Sequence, residues 1–273
     1  FTLDPFIPVE KDGKKFGLGS NDAGASLVSM VQVFLHFFEQ ENLSHNLIIA
    51  LTAEEEISGK DGIEALFPEL PNVELVIVGE PTQMNLAIAE KGLLVIDGEM
   101  LGTASHAAHP NSDNALVKCM NDLQYILNFK FPKVSPYLGE VKITLSVINA
   151  GTQHNVVPEK CNFTLDVRVT DEYSNKEVFE IIQSEMKSNL TARSFRLNSS
   201  RIVKDHPIVK GGLQIGRTTY GSPTSSDQAI IPCTSVKIGP GDSTRSHTAD
   251  EFIYINEIKE GIEIYIKILE KIL

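Results

Sequence analysis

Neighbouring carboxylates at the end of an apolar run can divide a hydrolytic reaction, one holding a proton and the next a metal ion. The stretch Asn46-Leu-Ile-Ile-Ala-Leu-Thr-Ala-Glu54-Glu55-Glu56 offers three in a row. Its β-branched Ile48, Ile49 and Thr52 predict a buried strand of a parallel sheet that delivers these acids to a sheet edge. Alone, a Glu triplet is more often a solvated charge run. Two further stretches raise its weight. Leu75-Val-Ile-Val-Gly-Glu80-Pro81 is a second apolar run ending in a carboxylate, and Ser235-Val-Lys-Ile-Gly-Pro-Gly241 leads to His247. Ligands of open α/β sheets sit outside the carboxyl ends of the strands, so three such ends predict one shared polar site.

Asp22 follows Gly17 and Gly19 and precedes a helical pattern through Leu27, Val28, Val31, Phe34, Leu35 and Phe38. It is either an N-cap or a contributor to the site, and the glycines around it favour the second reading. No phosphate-loop lysine follows, which argues against a nucleotide site. Asp22, Glu54 to Glu56, Glu80 and His247 are ligand types suited to a two-metal hydrolytic centre. Carboxylates and imidazole bind Zn²⁺, and one carboxylate can bridge two ions roughly 3.5–4 Å apart.

Other polar groups carry weaker signals. His106 and His109 sit in a loop of small residues, where a polar loop is the commoner outcome. Gly151-Thr-Gln-His154-Asn155 reads as a hairpin loop, and Arg168 as either a surface residue or a bidentate clamp for a substrate carboxylate. Arg245-Ser-His247-Thr-Ala-Asp250-Glu251 could be no more than a capped helix start.

The elements that must position these groups fall into two sets. Strand and helix patterns over residues 1–91 and 199–273 suit a layered α/β domain. Between them, residues 92–198 predict strands over 92–101, 141–150 and 161–169, helices over 114–129 and 175–190, and a last strand over 193–198. That β-α-β-β-α-β order is that of a ferredoxin-like α+β unit, inserted into the first domain. Lys11-Asp12-Gly13-Lys14 predicts a tight hairpin turn. The 273 residues, 42% hydrophobic, suffice for a substantial core, and no apolar run approaches the length of a membrane span. A formal charge of −12 argues against nucleic acid as a partner. Three scattered cysteines without a Cys-x-x-Cys pair suggest a reducing compartment, taken to be the cytoplasm.

Six motifs now appear in order: Gly19-Ser-Asn-Asp22, Thr52-Ala-Glu-Glu-Glu56, Gly79-Glu-Pro-Thr82, Ser105-His-Ala-Ala-His-Pro110, Asn155-Val-Val-Pro158 and Ser246-His247. Together they resemble the M20 metallopeptidase family, most closely its branch of acetylornithine deacetylases and succinyl-diaminopimelate desuccinylases. The resemblance implies a zinc-hydrolase catalytic domain, a mixed sheet with flanking helices, carrying an inserted lid and dimerisation domain. It implies two Zn²⁺ per subunit, with Co²⁺ as an alternative ion. Asp22 would bridge them, Glu80 would complete one shell, and Glu56 with His247 the other. Glu55 would be the general base if Glu54 fills the first acidic position of the motif. His106 would stabilise the tetrahedral intermediate in the partner's site of a homodimer, and Asn155 and Arg168 would contact substrate.

What the resemblance implies for function is hydrolysis of the amide of an N-acyl amino acid, such as acetylated or succinylated ornithine or citrulline. Succinyl-diaminopimelate hydrolysis or a dipeptidase activity is the alternative within the family, and a non-catalytic metabolite-binding protein the alternative outside it. One departure stands against the pattern. The family's first metal motif, a His-x-Asp upstream of the Gly-rich loop, does not occur ahead of Gly17. Either that ligand is lost or the protein continues upstream of Phe1; the expectation is that it continues and carries the motif there.

Overall fold

The computed structural model describes residues 1–273, which form two compact units, Phe1–Ala89 with Arg201–Ser222 and Ser226–Leu273, and Glu90–Ser200 with Pro223–Ser225. In chain order the elements begin with strands β1 (Val9–Lys11) and β2 (Lys14–Phe16), then helices α1 (Ala25–Phe38) and α2 (Ile63–Leu66). Strands β3 (Leu75–Val78), β4 (Leu86–Glu90), β5 (Gly92–Leu101) and β6 (Ser105–His106) precede α3 (Ala115–Leu127). After β7 (Lys142–Ala150), β8 (Val156–Val157) and β9 (Lys160–Val169) come α4 (Asn175–Glu185), β10 (Asn189–Ala192) and β11 (Ser200–Arg201). The chain closes with α5 (Pro207–Gln214), β12 (Thr219–Ser222), β13 (Thr234–Lys237), β14 (Phe252–Tyr254) and α6 (Ile255–Leu269).

The first unit holds a mixed sheet in the order β11-β4-β13-β3, with β12 beside β4; β13 runs parallel to β3 and antiparallel to β4. Because β3 and β13 are parallel, Glu80 and the Gly239-Pro240-Gly241 turn emerge at the same end of the sheet. A smaller sheet, β1-β2-β14, starts with the Asp12-Gly13 turn, whose two residues take the positive φ values (52° and 71°) that a two-residue hairpin demands. Helices α1 and α5 pack on α6, and Tyr265 of α6 donates a hydrogen bond to the Ile238 carbonyl just past β13.

Two local expectations fail in this unit. The run Asn46–Thr52 forms no strand, and Ile48 and Leu51 are exposed. Its β-branched residues favour extended backbone, but no neighbouring strand pairs with it. On α1 the helix is as predicted but the buried face is not: Ala25, Ser26, Ser29, Val33 and Phe37 point inward while Leu27, Val28, Leu35 and Phe38 are exposed. Small residues hold the first turn of that face because the sheet ends come very close to it there. A Cβ on Gly239 would lie 2.2 Å from the Ser26 hydroxyl and 2.5 Å from the Glu80 carbonyl oxygen.

The second unit is an antiparallel sheet in the order β10-β5-β9-β7, with α3 and α4 supplying the rest of a core that includes Leu94, Ile96, Cys119, Leu165, Val167 and Ile182. With the separate two-stranded pair β6-β8 set aside, its element order is β-α-β-β-α-β. The second helix is shorter than its pattern suggested, ending at Glu185 with Met186 already extended. The reason is Asp122 on α3, buried, which accepts hydrogen bonds from the Lys187 and Ser188 amides and the Ser188 hydroxyl. The last strand is therefore Asn189–Ala192, paired with β5, and not residues 193–198. All three cysteines are free thiols. No helix is long and apolar enough to cross a membrane.

Candidate metal centre

Asp22 lies in a wide turn over Ser20–Gly24, just ahead of α1, with extended backbone (φ −118°, ψ 99°) and a cis peptide to Ala23. It does not cap the helix, whose N-cap is Gly24 without a side-chain bond. Glu55 and Glu56 begin a short 3₁₀ turn, entered through Glu54 in the left-handed region (φ 69°). Glu54 turns back on its own loop, its carboxylate accepting the Asp61 amide at 3.0 Å and its carbonyl the Gly59 amide at 2.9 Å. The reversed backbone at Glu54 separates the roles of the three acids: one fastens the loop and two project from it.

His247 follows the short turn Ser243–Arg245, which Asp242 caps through the Thr244 amide, and is itself left-handed (φ 56°). Its Nε2 lies 3.2 Å from Glu56 Oε2 and 3.9 Å from Asp22 Oδ2. Asp22, Glu56 and His247 each offer one donor atom, and the three lie within 4.8 Å of one another. Two carboxylate oxygens and an imidazole nitrogen converging from residues 22, 56 and 247 fit a divalent cation, which accepts this donor set in tetrahedral or higher coordination.

Glu55 stands next to this group. Burial pushes its carboxyl up to about 7, the charges of Glu56, Asp227 and Asp22 push in the same direction, and Lys237 opposes them. A carboxyl balanced near neutrality can both accept and return a proton. Neither Asp227 nor the buried Lys237 carries a sequence signal that would have singled it out.

Glu80 is not brought into the three-donor group. It is half-buried at the end of β3, its backbone packed against Gly239, and its carboxylate adds to the effect of burial in raising the Tyr265 hydroxyl. The turn holding it is knit to the His247 side of the sheet by the Thr82 and Met84 amides, both bonded to the Gly239 carbonyl.

The remaining candidates lie in the second unit. Strand β6 pairs with β8 so that His106 sits opposite Val156, and the Asn155 carbonyl accepts the Ala107 amide at 2.9 Å. His106 and Asn155 thus share one exposed end of the β6–β8 pair, although 49 residues apart in sequence. His106 Nδ1 accepts the Ala108 amide at 3.1 Å, which puts the proton of the neutral ring on Nε2 and leaves that nitrogen as a donor. Arg168 on β9 spends its fork on Asp166, at 2.8 and 3.0 Å.

Glu251, in the stretch that reads in sequence as a capped helix start, has a buried carboxylate that reaches the Asp22 turn. Its only signal was proximity to His247.

A model of peptidase family M20/M25/M40 matches residues 2–271. The chain is 23% identical to succinyl-diaminopimelate desuccinylase 2 of Ruegeria sp. (strain TM1040), over 98% of this chain and 75% of that protein. It is also 23% identical to the acetylornithine deacetylase of Myxococcus xanthus, over 91% of this chain and 70% of the other. Among solved structures, the M20 family metallo-carboxypeptidase Sso-CP2 from Sulfolobus solfataricus matches with a TM-score of 0.74 at 16% identity, covering 99% of this chain and 80% of that one. At that identity the likeness is one of fold.

Proposed function

The chain belongs to peptidase family M20/M25/M40, and from that premise we propose that it is a zinc-dependent amidohydrolase that removes the acyl group from a small N-acyl amino acid, acetylated or succinylated ornithine or citrulline. The observation that carries this reading is the convergence of Asp22, Glu56 and His247 with Glu55 beside them. Asp22, Glu56 and His247 would hold one metal ion, and Asp22 with Glu80 would contribute to a second. When bound, the metal supplies Lewis acidity toward the acyl carbonyl and makes water more acidic. Glu55 takes the proton of the attacking water, then hands it to the amide nitrogen as the C–N bond breaks. The products are the carboxylate of the acyl group and the free amine.

His106, with its Nε2–H free to donate, would stabilise the developing oxyanion, acting across a homodimer formed through the second unit. Asn155 and Arg168 would contact the substrate, Arg168 by exchanging Asp166 for a substrate carboxylate. The proposed setting is the cytoplasm, where Cys119, Cys161 and Cys233 remain thiols. Succinyl-diaminopimelate is the second reading, favoured by the relative from Ruegeria.

The test pairs kinetics with metal analysis. Acetylated and succinylated ornithine, citrulline and diaminopimelate form the substrate panel, and the preferred compound identifies the reaction. Glu55→Gln should keep its metal while losing about 10²–10⁴-fold in kcat, and Glu56→Gln should lose metal. Equal metal loss in the two variants would sink the division of roles, and a metal-replete protein inert on the whole panel would point to a binding function.

A further inference from the structure

Asp22 and His247 are 225 positions apart, and neither stands in an α-helix or a strand. Something other than regular structure must fix their separation. Two buried side chains next to them do so reciprocally. Glu251, 2% exposed, accepts the Gly19 amide at 2.9 Å through one carboxylate oxygen, and the Asn21 and Asp22 amides, both at 2.8 Å, through the other. Asn21, wholly buried, returns the connection: its side chain donates to the Asp242 carbonyl at 3.0 Å and accepts the Asp242 amide at 3.1 Å. It also reaches the Ser246 hydroxyl at 3.3 Å. The fit leaves no slack, since a Cβ on Gly241, where φ is +90°, would lie 2.4 Å from Asn21 Oδ1.

We infer that Glu251 and Asn21 are positioning residues, a two-way staple that presets the spacing between Asp22 and His247 for a metal ion. The inference rests on the metal reading given above and adds to it a pair of residues that touch neither metal nor substrate. The geometry supports this role over ordinary loop bracing in one respect. The bonds of Glu251 end on the amide of Asp22 itself, and those of Asn21 span Asp242 to Ser246, the residues that lead directly into His247. A carboxylate bonded to three amides is a stiff anchor, because bonds to an ionised acceptor are about twice as strong as neutral ones. Releasing it lets the Asp22 turn drift from His247 while every metal-donor atom is retained.

The experiment uses metal-depleted protein. Zinc affinity is measured by competition with a chromogenic chelator, and the protection of the Gly19, Asn21 and Asp22 amides by hydrogen exchange. Glu251→Ala should weaken zinc binding about 10- to 100-fold, the range seen when groups supporting metal ligands are removed, and should expose those amides. Glu251→Gln, which keeps one acceptor oxygen, should recover part of the affinity. Asn21→Ala leaves the Glu251 bonds in place and should give a smaller loss; it is the deciding variant if Glu251→Ala does not fold. Asp122→Ala, a buried carboxylate lost from the other unit, controls for general destabilisation and should leave zinc affinity unchanged. Affinity within twofold of wild type in a folded variant, or undiminished amide protection, overturns the staple. If wild-type protein takes up no zinc, it is the metal reading that fails, and the staple is judged by crystal structures of wild type and Asn21→Ala: an unaltered Asp22–His247 separation overturns it.

Discussion

Two groups of acids, one in each unit, are held in opposite ways. In the second unit Asp97 meets Arg193 at 2.7 and 2.9 Å, Asp166 meets Arg168 at 2.8 and 3.0 Å, and Asp113 meets Lys118 at 2.7 Å. The bond from Arg193 holds the Asp97 carboxyl below its ordinary range, and that from Lys118 does the same for Asp113. In the first unit Asp22 and Glu56 converge on one imidazole, and the adjoining Glu55 is raised, first by burial and then by its acidic neighbours. Carboxylates crowded together repel one another, and at Glu55 the opposing charge of Lys237 is outweighed by burial and the acids around it. Pairing explains Asp97, Asp113 and Asp166 as structure. Asp22 and Glu56 converge instead with His247 in a donor set of the kind that suits a cation.

The largest effect that can break this contrast is metal addition. A ligand that binds only the folded state at a hundred times its Kd stabilises by about 2.7 kcal/mol. Zinc added to chelator-treated protein should therefore raise the midpoint of thermal unfolding, and hydrogen exchange should slow over Gly19–Gly24 and Glu55–Gly59. Local exchange around Asp97 and Asp166, already paired, should not change. Uniform slowing in both units, or none in the first, would remove the distinction between paired and receptive acids. Only one ion should bind tightly, because Glu80 lies outside the three-donor group.

The second effect concerns a buried acid used purely for structure. Asp122 is 7% exposed and bonds to two amides and a hydroxyl where α4 gives way to β10. Asp122→Asn keeps one acceptor oxygen but loses the charge, which should cost about 1–2 kcal/mol of stability. Urea denaturation followed by far-UV circular dichroism would measure it, with zinc affinity unaltered. A shift in zinc affinity would show that buried acids of both units bear on the centre.

Asp122 also illustrates what could be read in advance. The strict alternation through Cys161, Phe163, Leu165, Val167 and Val169 declared β9, and the ladder that pairs it with β5 along its whole length agrees. The end of α4 was not legible, since it depends on a carboxylate 63 residues before Glu185. The same holds in the first unit. Asn46–Thr52 has the composition of a strand, but a strand exists only with a partner, and composition carries no information about partners. For the site, residue type points to Asp22, Glu54 to Glu56, Glu80 and His247, and the family resemblance singles out Glu56 within the triplet; the fold brings Asp22, Glu56 and His247 together and leaves Glu80 outside that group. Glu251 and Asn21 stand inside stretches the sequence singles out, but nothing there distinguishes them, because their bonds are mostly to backbone and any polar side chain near a loop could form such bonds.

The smallest effect falls on Arg168, where the two ways of holding an acid meet in one residue. Its guanidinium is bidentate with Asp166, two positions earlier on the same strand and therefore on the same face, and both side chains are 30% exposed. A partly exposed pair of this kind contributes about 0–1 kcal/mol, so Arg168→Ala should barely move the unfolding midpoint, and less still in high salt. Catalysis is the sharper gauge. The fork that fits Asp166 fits a substrate carboxylate equally well, and the two compete for it. If Arg168 is a clamp, Arg168→Ala should raise KM with kcat little changed, Arg168→Lys should rescue it poorly because an ammonium cannot form the fork, and Asp166→Asn should lower KM by releasing the guanidinium. If the pair is structural, all three variants should share the wild-type KM, and Arg168 then belongs with Arg193 and Lys118 as a residue whose purpose is fulfilled by the acid it faces.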